Sequence, residues 1–174
     1  MKEALPDRIR SVIVDSCNDA GVTLIDVVMR GQARQLILDV FIDTLEGVTH
    51  DHCRDVSRGI DERLQDDEFA GRLRAVDVSS PGAEAPVKFL WQLQKHVGRT
   101  VRVARIDGSV IEGSLVRADD TGLDVQPKQT IKEPNPLTTI PVGDVHEAKV
   151  LIALQRVGVG PYSSWRRITW HAEK

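Results

Sequence analysis

The sequence predicts an α+β protein of two domains, an N-terminal α/β domain followed by a small antiparallel β-barrel. Three observations carry this prediction. Residues 1–80 follow helical and strand periodicities in the order α-β-β-α-β. Residues 87–155 change to short strands separated by tight-turn signals. Between them stands VDVSSPGAEAP, Val76 to Pro86, where an alternating run ends in two serines, a glycine and two prolines. The expected organisation is an α/β domain at 1–80, a junction at 81–86, a barrel at 87–155 and a basic, aromatic tail at 156–174.

The N-terminal domain opens with a helix. Ile9, Val12, Ile13, Cys17 and Ala20 recur at helical spacing, Pro6 and Asp7 suit its start, and Gly21 suits the residue just past its end. VTLIDVVM (Val22 to Met29) is a strand, and RGQAR around Gly31 is a turn. QLILDVFID (Gln35 to Asp43) is a second strand, with Leu36, Leu38, Val40 and Ile42 on one face and Asp39 and Asp43 on the other. Thr49 is placed to cap a second helix whose buried stripe is Cys53, Val56, Ile60 and Leu64, with Arg54, Asp55, Arg58, Asp61 and Glu62 in water. After the polar stretch QDDEFAGR, LRAVDVS is a third strand. Two helices on one face of a three-stranded sheet complete the domain.

Beyond Pro86, KFLWQLQKHVG reads as a short helical turn. RTVRVARIDG, SVIEGSLVRADDTG, LDVQP, TIPVGDV and EAKVLIAL supply five short strands, with hairpin signals at Asp107-Gly108 and at Asp119 to Gly122. Gly113 is placed for the bend that a small barrel needs. KQTIKEPNPLTT is long for a hairpin connection and is expected to project.

Composition narrows the function classes. The chain has 174 residues, enough for two modest cores, and only 4% are aromatic, so those cores rest on Val, Leu and Ile. No run of about 18 apolar residues exists to span a membrane. The start, MKEALPDRIRSVIVD, carries acids and lacks an apolar signal core, which points to the cytoplasm. Cys17 and Cys53 lack metal or redox spacing and read as buried thiols in a reducing compartment. Residues 1–85 hold 10 Lys and Arg against 17 Asp and Glu, whereas residues 86–174 hold 13 against 9. The basic rear half is thus the one suited to a polyanion.

Catalytic readings find little support. Ser79 and Ser80 lack the GxSxG elbow and any evident base, so they read as polar caps on a domain boundary. A phosphate cradle at Gly82 lacks the usual lysine, and Pro81 removes a donor. The HDHC run, His50 to Cys53, is the densest ligand cluster, but at a helix start only His50 and Cys53 share a face, so capping is favoured over zinc. Gly158 and Gly160 are followed by too little chain for a dinucleotide-binding unit. No catalytic residue, metal or cofactor is expected. Arg99, Arg102 and Arg105 in the first barrel strand and its flanks are candidate RNA contacts. In the tail, Arg156, Tyr162, Trp165, Arg166, Arg167 and Trp170 suit RNA by charge and stacking, or else Trp165 and Trp170 cover a sheet edge.

Five stretches in order resemble the RimP family of bacterial ribosome maturation factors, from roughly Ile9 to Leu154. They are GVTLIDVVM, LILDVFIDTLEGVTHDHCRDVSRGID, VDVSSPGAEAPV, HVGRTVRV and IEGSLVRADDTGLDV. The resemblance implies an Sm-like C-terminal barrel and a non-catalytic protein that binds the free or immature small ribosomal subunit. It also implies a contact of the barrel with small-subunit ribosomal protein twelve. A monomer is expected; the competing reading is a ring-forming Sm-like module acting on small RNAs. The family commonly places an arginine before the second proline of the junction, where this chain has Ala85, and the tail beyond Gln155 has no counterpart in the family core.

Overall fold

The computed structural model describes residues 4–32, 35–128 and 136–152. The chain divides into two compact units. Among the described residues, one comprises those up to Asp43 with Val48–Ser80; the other comprises Thr44–Gly47 with those from Pro81 to Ile152.

The first unit is built as α1 (Asp7–Asp19), β1 (Thr23–Arg30), β2 (Leu36–Asp43), α2 (His50–Leu64) and β3 (Leu73–Ser79). Pro6 caps α1, and its carbonyl accepts from Ile9 and Arg10, so the missing proline N–H costs nothing at that position. The helix ends in a Schellman arrangement: the Val22 N–H donates to the Cys17 carbonyl and the Gly21 N–H to that of Asn18, both at 3.0 Å. Gly21 has φ +67°, a conformation that penalises a Cβ, which is why glycine follows this helix.

The sheet order is β1-β2-β3. β1 and β2 are antiparallel, whereas β2 and β3 are parallel, so α2 forms the crossover that a parallel pair requires. Leu36, Leu38, Val40 and Ile42 pack with Ile9, Ile13 and Cys17 of α1 and Val56, Ile60 and Leu64 of α2. Because alternate residues of β2 share one face, both helices lie on that face. Each such side chain contributes roughly 1.5–3 kcal/mol on burial.

Three details depart from the sequence expectation. Cys53 is half-buried and joins the edge of the core. Asp43, expected on the wet face, is 4% exposed at the end of β2. The polar stretch before β3 contains an apolar anchor, Phe69, which is buried with the Arg72 guanidinium 5.6 Å from its ring centre.

The second unit begins with a 3₁₀ helix, Leu90–His96, which inserts Leu93 into the core and buries Gln92. The Gln92 side-chain oxygen accepts from the Lys88 and Phe89 N–H groups, each at 3.0 Å. This satisfies the buried amide and fixes the helix start. Five strands follow: β4 (Thr100–Arg105), β5 (Val110–Asp119), β6 (Gly122–Pro127), β7 (Thr138–Pro141) and β8 (Val145–Val150). They form one antiparallel sheet in the order β7-β6-β5-β4-β8. Val101, Val103, Leu115, Leu123, Val125, Ile140, Ala148 and Val150 line its core. Most of KQTIKEPNPLTT lies outside the described residues.

Gly113 has a more specific role than a bend. It pairs with Pro127 of β6, and a Cβ built on it would overlap the backbone carbonyl of Gln126. Only glycine permits this approach of β6 to β5. Gly113→Ala is therefore expected to destabilise the second unit by about 3 kcal/mol, the upper part of the range for overpacking. Urea unfolding of the full chain, followed by tryptophan fluorescence, would check this; an unchanged midpoint would contradict the close approach.

Candidate functional site

The α2 start resolves the role of the HDHC run. Thr49 Oγ1 accepts from the His52 N–H, and His52 Nδ1 in turn accepts from the Thr49 N–H, both at 3.2 Å. This reciprocal pair is a capping box in which histidine takes the place usually held by glutamate. His52 Nδ1 is committed to the backbone. Among the described residues no group of three His, Cys, Asp or Glu side chains is arranged to hold a metal ion. Burial pushes the Cys17 thiol up to about 11 and raises that of Cys53 as well, so both disfavour the thiolate that nucleophilic chemistry requires.

The junction is a turn with exposed hydroxyls. Ser79 and Ser80 are exposed, and among the described residues neither side chain makes a hydrogen bond, so they do not cap the strand end as expected. Gly82 does not adopt a positive φ. The Ala85 N–H donates to the Gly82 carbonyl at 2.9 Å, which places the bend at Ala83 and Glu84. Pro81 is half-buried and Pro86 exposed. These backbone preferences, rather than a glycine conformation, shape the segment.

The candidate arginines differ in their surroundings. Arg99 is exposed and makes no ion pair among the described residues. Arg102 lies on the outer face of β4, 3.9 Å from Glu112. Arg105 approaches Asp144 at 3.5 Å, so its charge is partly engaged. Spacing alone missed the neighbours of Arg102. The register makes Lys149 of β8 and Glu112 of β5 its direct cross-strand partners. Those contacts depend on strands 10 and 47 residues away in the chain, a separation that no local motif reports. Arg156, Tyr162, Trp165, Arg166, Arg167 and Trp170 lie outside the described residues.

Two other charge clusters are structural. Arg30 of β1 bridges Asp39 of β2 at 2.6 and 3.0 Å and Asp77 of β3 at 3.1 Å, offsetting the repulsion between two adjacent carboxylates. At the β5–β6 turn, Arg117 binds Asp124 at 2.7 and 3.3 Å and also pairs with Asp119. Asp119 further accepts from the Thr121 hydroxyl and backbone N–H.

The family model described as the RimP N-terminal domain matches residues 12–84. Residues 12–84 are thus a RimP N-terminal domain. The match begins within α1, takes in β1, β2, α2 and β3, and ends in the junction at Glu84, one residue before Ala85. The RimP family is one of ribosome maturation factors. No helix among the described residues is long and apolar enough to cross a membrane.

The β5–β6 turn gives a pH prediction. Hydrogen bonds from Thr121 first, and then Arg117, hold the Asp119 carboxyl down at about 2. An unfolded aspartate protonates near pH 3.9. The turn therefore stabilises the fold above about pH 4, and this contribution is lost as pH falls towards 2. Asp119→Asn is expected to flatten the acid limb of stability between those values, measured as the melting temperature against pH. An acid limb as steep as that of the unaltered chain would contradict this assignment.

Proposed function

We propose that the chain binds the free or immature small ribosomal subunit and assists its maturation without catalysis. The observation that carries this reading is the RimP N-terminal domain at residues 12–84, followed in the same chain by a five-stranded antiparallel sheet. In this reading the sheet is the Sm-like barrel, spanning 87–155, and it contacts small-subunit ribosomal protein twelve. The protein acts as a bacterial, cytoplasmic monomer. Arg99, Arg102, Arg105 and the tail residues Trp165, Arg166 and Arg167 are its candidate ribosome contacts. Ser79, Ser80, Pro81, Gly82 and Pro86 join the two domains. The basic excess of residues 86–174 supports the polyanion side of this division of labour.

The ring-forming alternative is disfavoured by one contact. The Val87 N–H donates to the Ala148 carbonyl at 2.8 Å. Leu151 donates instead to Thr100, towards β4, so alternation puts the Ala148 carbonyl on the far edge of β8. A strand edge already engaged by its own chain is a poorer template for a second copy.

Co-sedimentation with purified small subunits is expected at about 50 mM salt and lost by about 200 mM, as phosphate contacts are displaced. Failure to bind free or immature subunits at the lower salt would sink the proposal. Mass measurement in solution is expected to give one chain, whereas a ring-sized mass would favour the alternative.

A further inference from the structure

The outer face of the second sheet carries a row of charge that only the strand register assembles. Arg102 is the Cα partner of Lys149 on one side and of Glu112 on the other. Beyond Glu112, the Lys128 N–H donates to the Glu112 carbonyl at 3.2 Å, which continues the row across β6. Val101, Val103, Ala148 and Val150 point into the core, so Arg102 and Lys149, which alternate with them, stand on the opposite face. The row therefore reads Lys149, Arg102, Glu112, Lys128, across roughly 15 Å at ordinary strand spacing. Glu147 belongs to the next row, where it pairs with Ala104. On the other side lies a neutral row of Thr100, Ser114 and Gln126.

This arrangement does not serve the fold. Like charges directly opposite one another on neighbouring strands destabilise a sheet. Lys149 makes no ion pair among the described residues. The pair between Arg102 and Glu112, at 3.9 Å with both side chains 40% or more exposed, contributes little. A conflict of this kind between local chemistry and fold is expected where a residue serves an external partner.

We propose that this row is a contact surface for the sugar–phosphate backbone of RNA, an assignment that rests on the ribosome-binding reading above. Three cations offer phosphate contacts, and Thr100, Ser114 and Gln126 offer hydrogen bonds to sugar and phosphate oxygens. None of these residues has an aromatic ring for base stacking, so the contact reads backbone charge and not sequence. Glu112 opposes the anion and moderates its affinity.

The test uses the full chain with Arg102→Gln, Lys149→Gln and Glu112→Gln variants. Binding is measured to a labelled 20-nucleotide oligouridylate and to purified small subunits across a salt series. Arg102→Gln and Lys149→Gln are each expected to weaken both interactions several-fold at low salt. Each is also expected to reduce the slope of log affinity against log salt by about 0.7. Glu112→Gln is expected to strengthen both, and the melting temperature of Lys149→Gln is expected to hold or rise. Wild-type-like affinity and slope in the cation variants, with subunit binding intact, overturn the inference and leave the reading standing. Weakened subunit binding with unchanged oligouridylate binding assigns the row to a protein partner and also overturns it. A melting temperature several degrees lower for Lys149→Gln makes the residue structural, with the same consequence. An unaltered chain that binds no small subunit overturns the ribosome-binding reading and this inference with it.

Discussion

The structure rests on burial of alternate residues along two strands, β2 in the first sheet and β4 in the second. Leu36, Leu38, Val40 and Ile42 are at most 3% exposed, and Val101 and Val103 are fully buried. A strand committed to a core in this way cannot slip by one residue without turning its whole apolar set outward. Register is therefore fixed, and with it the identity of every side chain that stands opposite another on the outer faces. Asp39 meets Asp77 and Arg102 meets Lys149 because the core demands that register. Surface charge in this protein is positioned from the inside.

That dependence explains what could be read from sequence. The α-β-β-α-β order, the limits of β3 at Leu73–Ser79, the Thr49 cap and the Gly21 stop were legible because each is a local signal with a local cause. The five strands of the second unit were legible from alternation and from turn residues such as Asp107-Gly108, where Gly108 has φ +83°. Non-local pairing was not. Nothing near Asp43 marks it as buried, and nothing near Phe69 marks it as a core anchor within a polar stretch. The half-buried Cys53 follows from its place in the first turn of α2, away from the centre of the core. His52 escaped because a histidine at that helix position usually carries no capping role, whereas its Nδ1 here replaces the expected carboxylate.

The same reasoning separates the two halves in kind. In the matched N-terminal domain, the most notable cluster of possible chemistry, HDHC, is used for helix capping, and the buried thiol of Cys17 resists ionisation. Its resources are spent on structure. The junction spends none on side-chain bonding: Ser79 and Ser80 are left exposed, and the bend at Ala83 and Glu84 follows from backbone preference. Ala85, in place of the arginine that the family resemblance led one to expect, is consistent with this. The turn needs the Ala85 N–H and makes no use of a long basic side chain there.

The arginines sort by whether an acid holds them. Arg30 bridges Asp39 and Asp77, and Arg117 is held by Asp119 and Asp124. Removing any of these acids would leave a charge to be solvated, so each set answers a need of the fold itself. Arg102 has only a distant, exposed glutamate on one side and a lysine on the other. A polyanion laid along that row supplies the missing negative charge and turns an unfavourable neighbour into a second contact. By this criterion the cations that the fold leaves unanswered locate an interface within the basic half more finely than its net charge does.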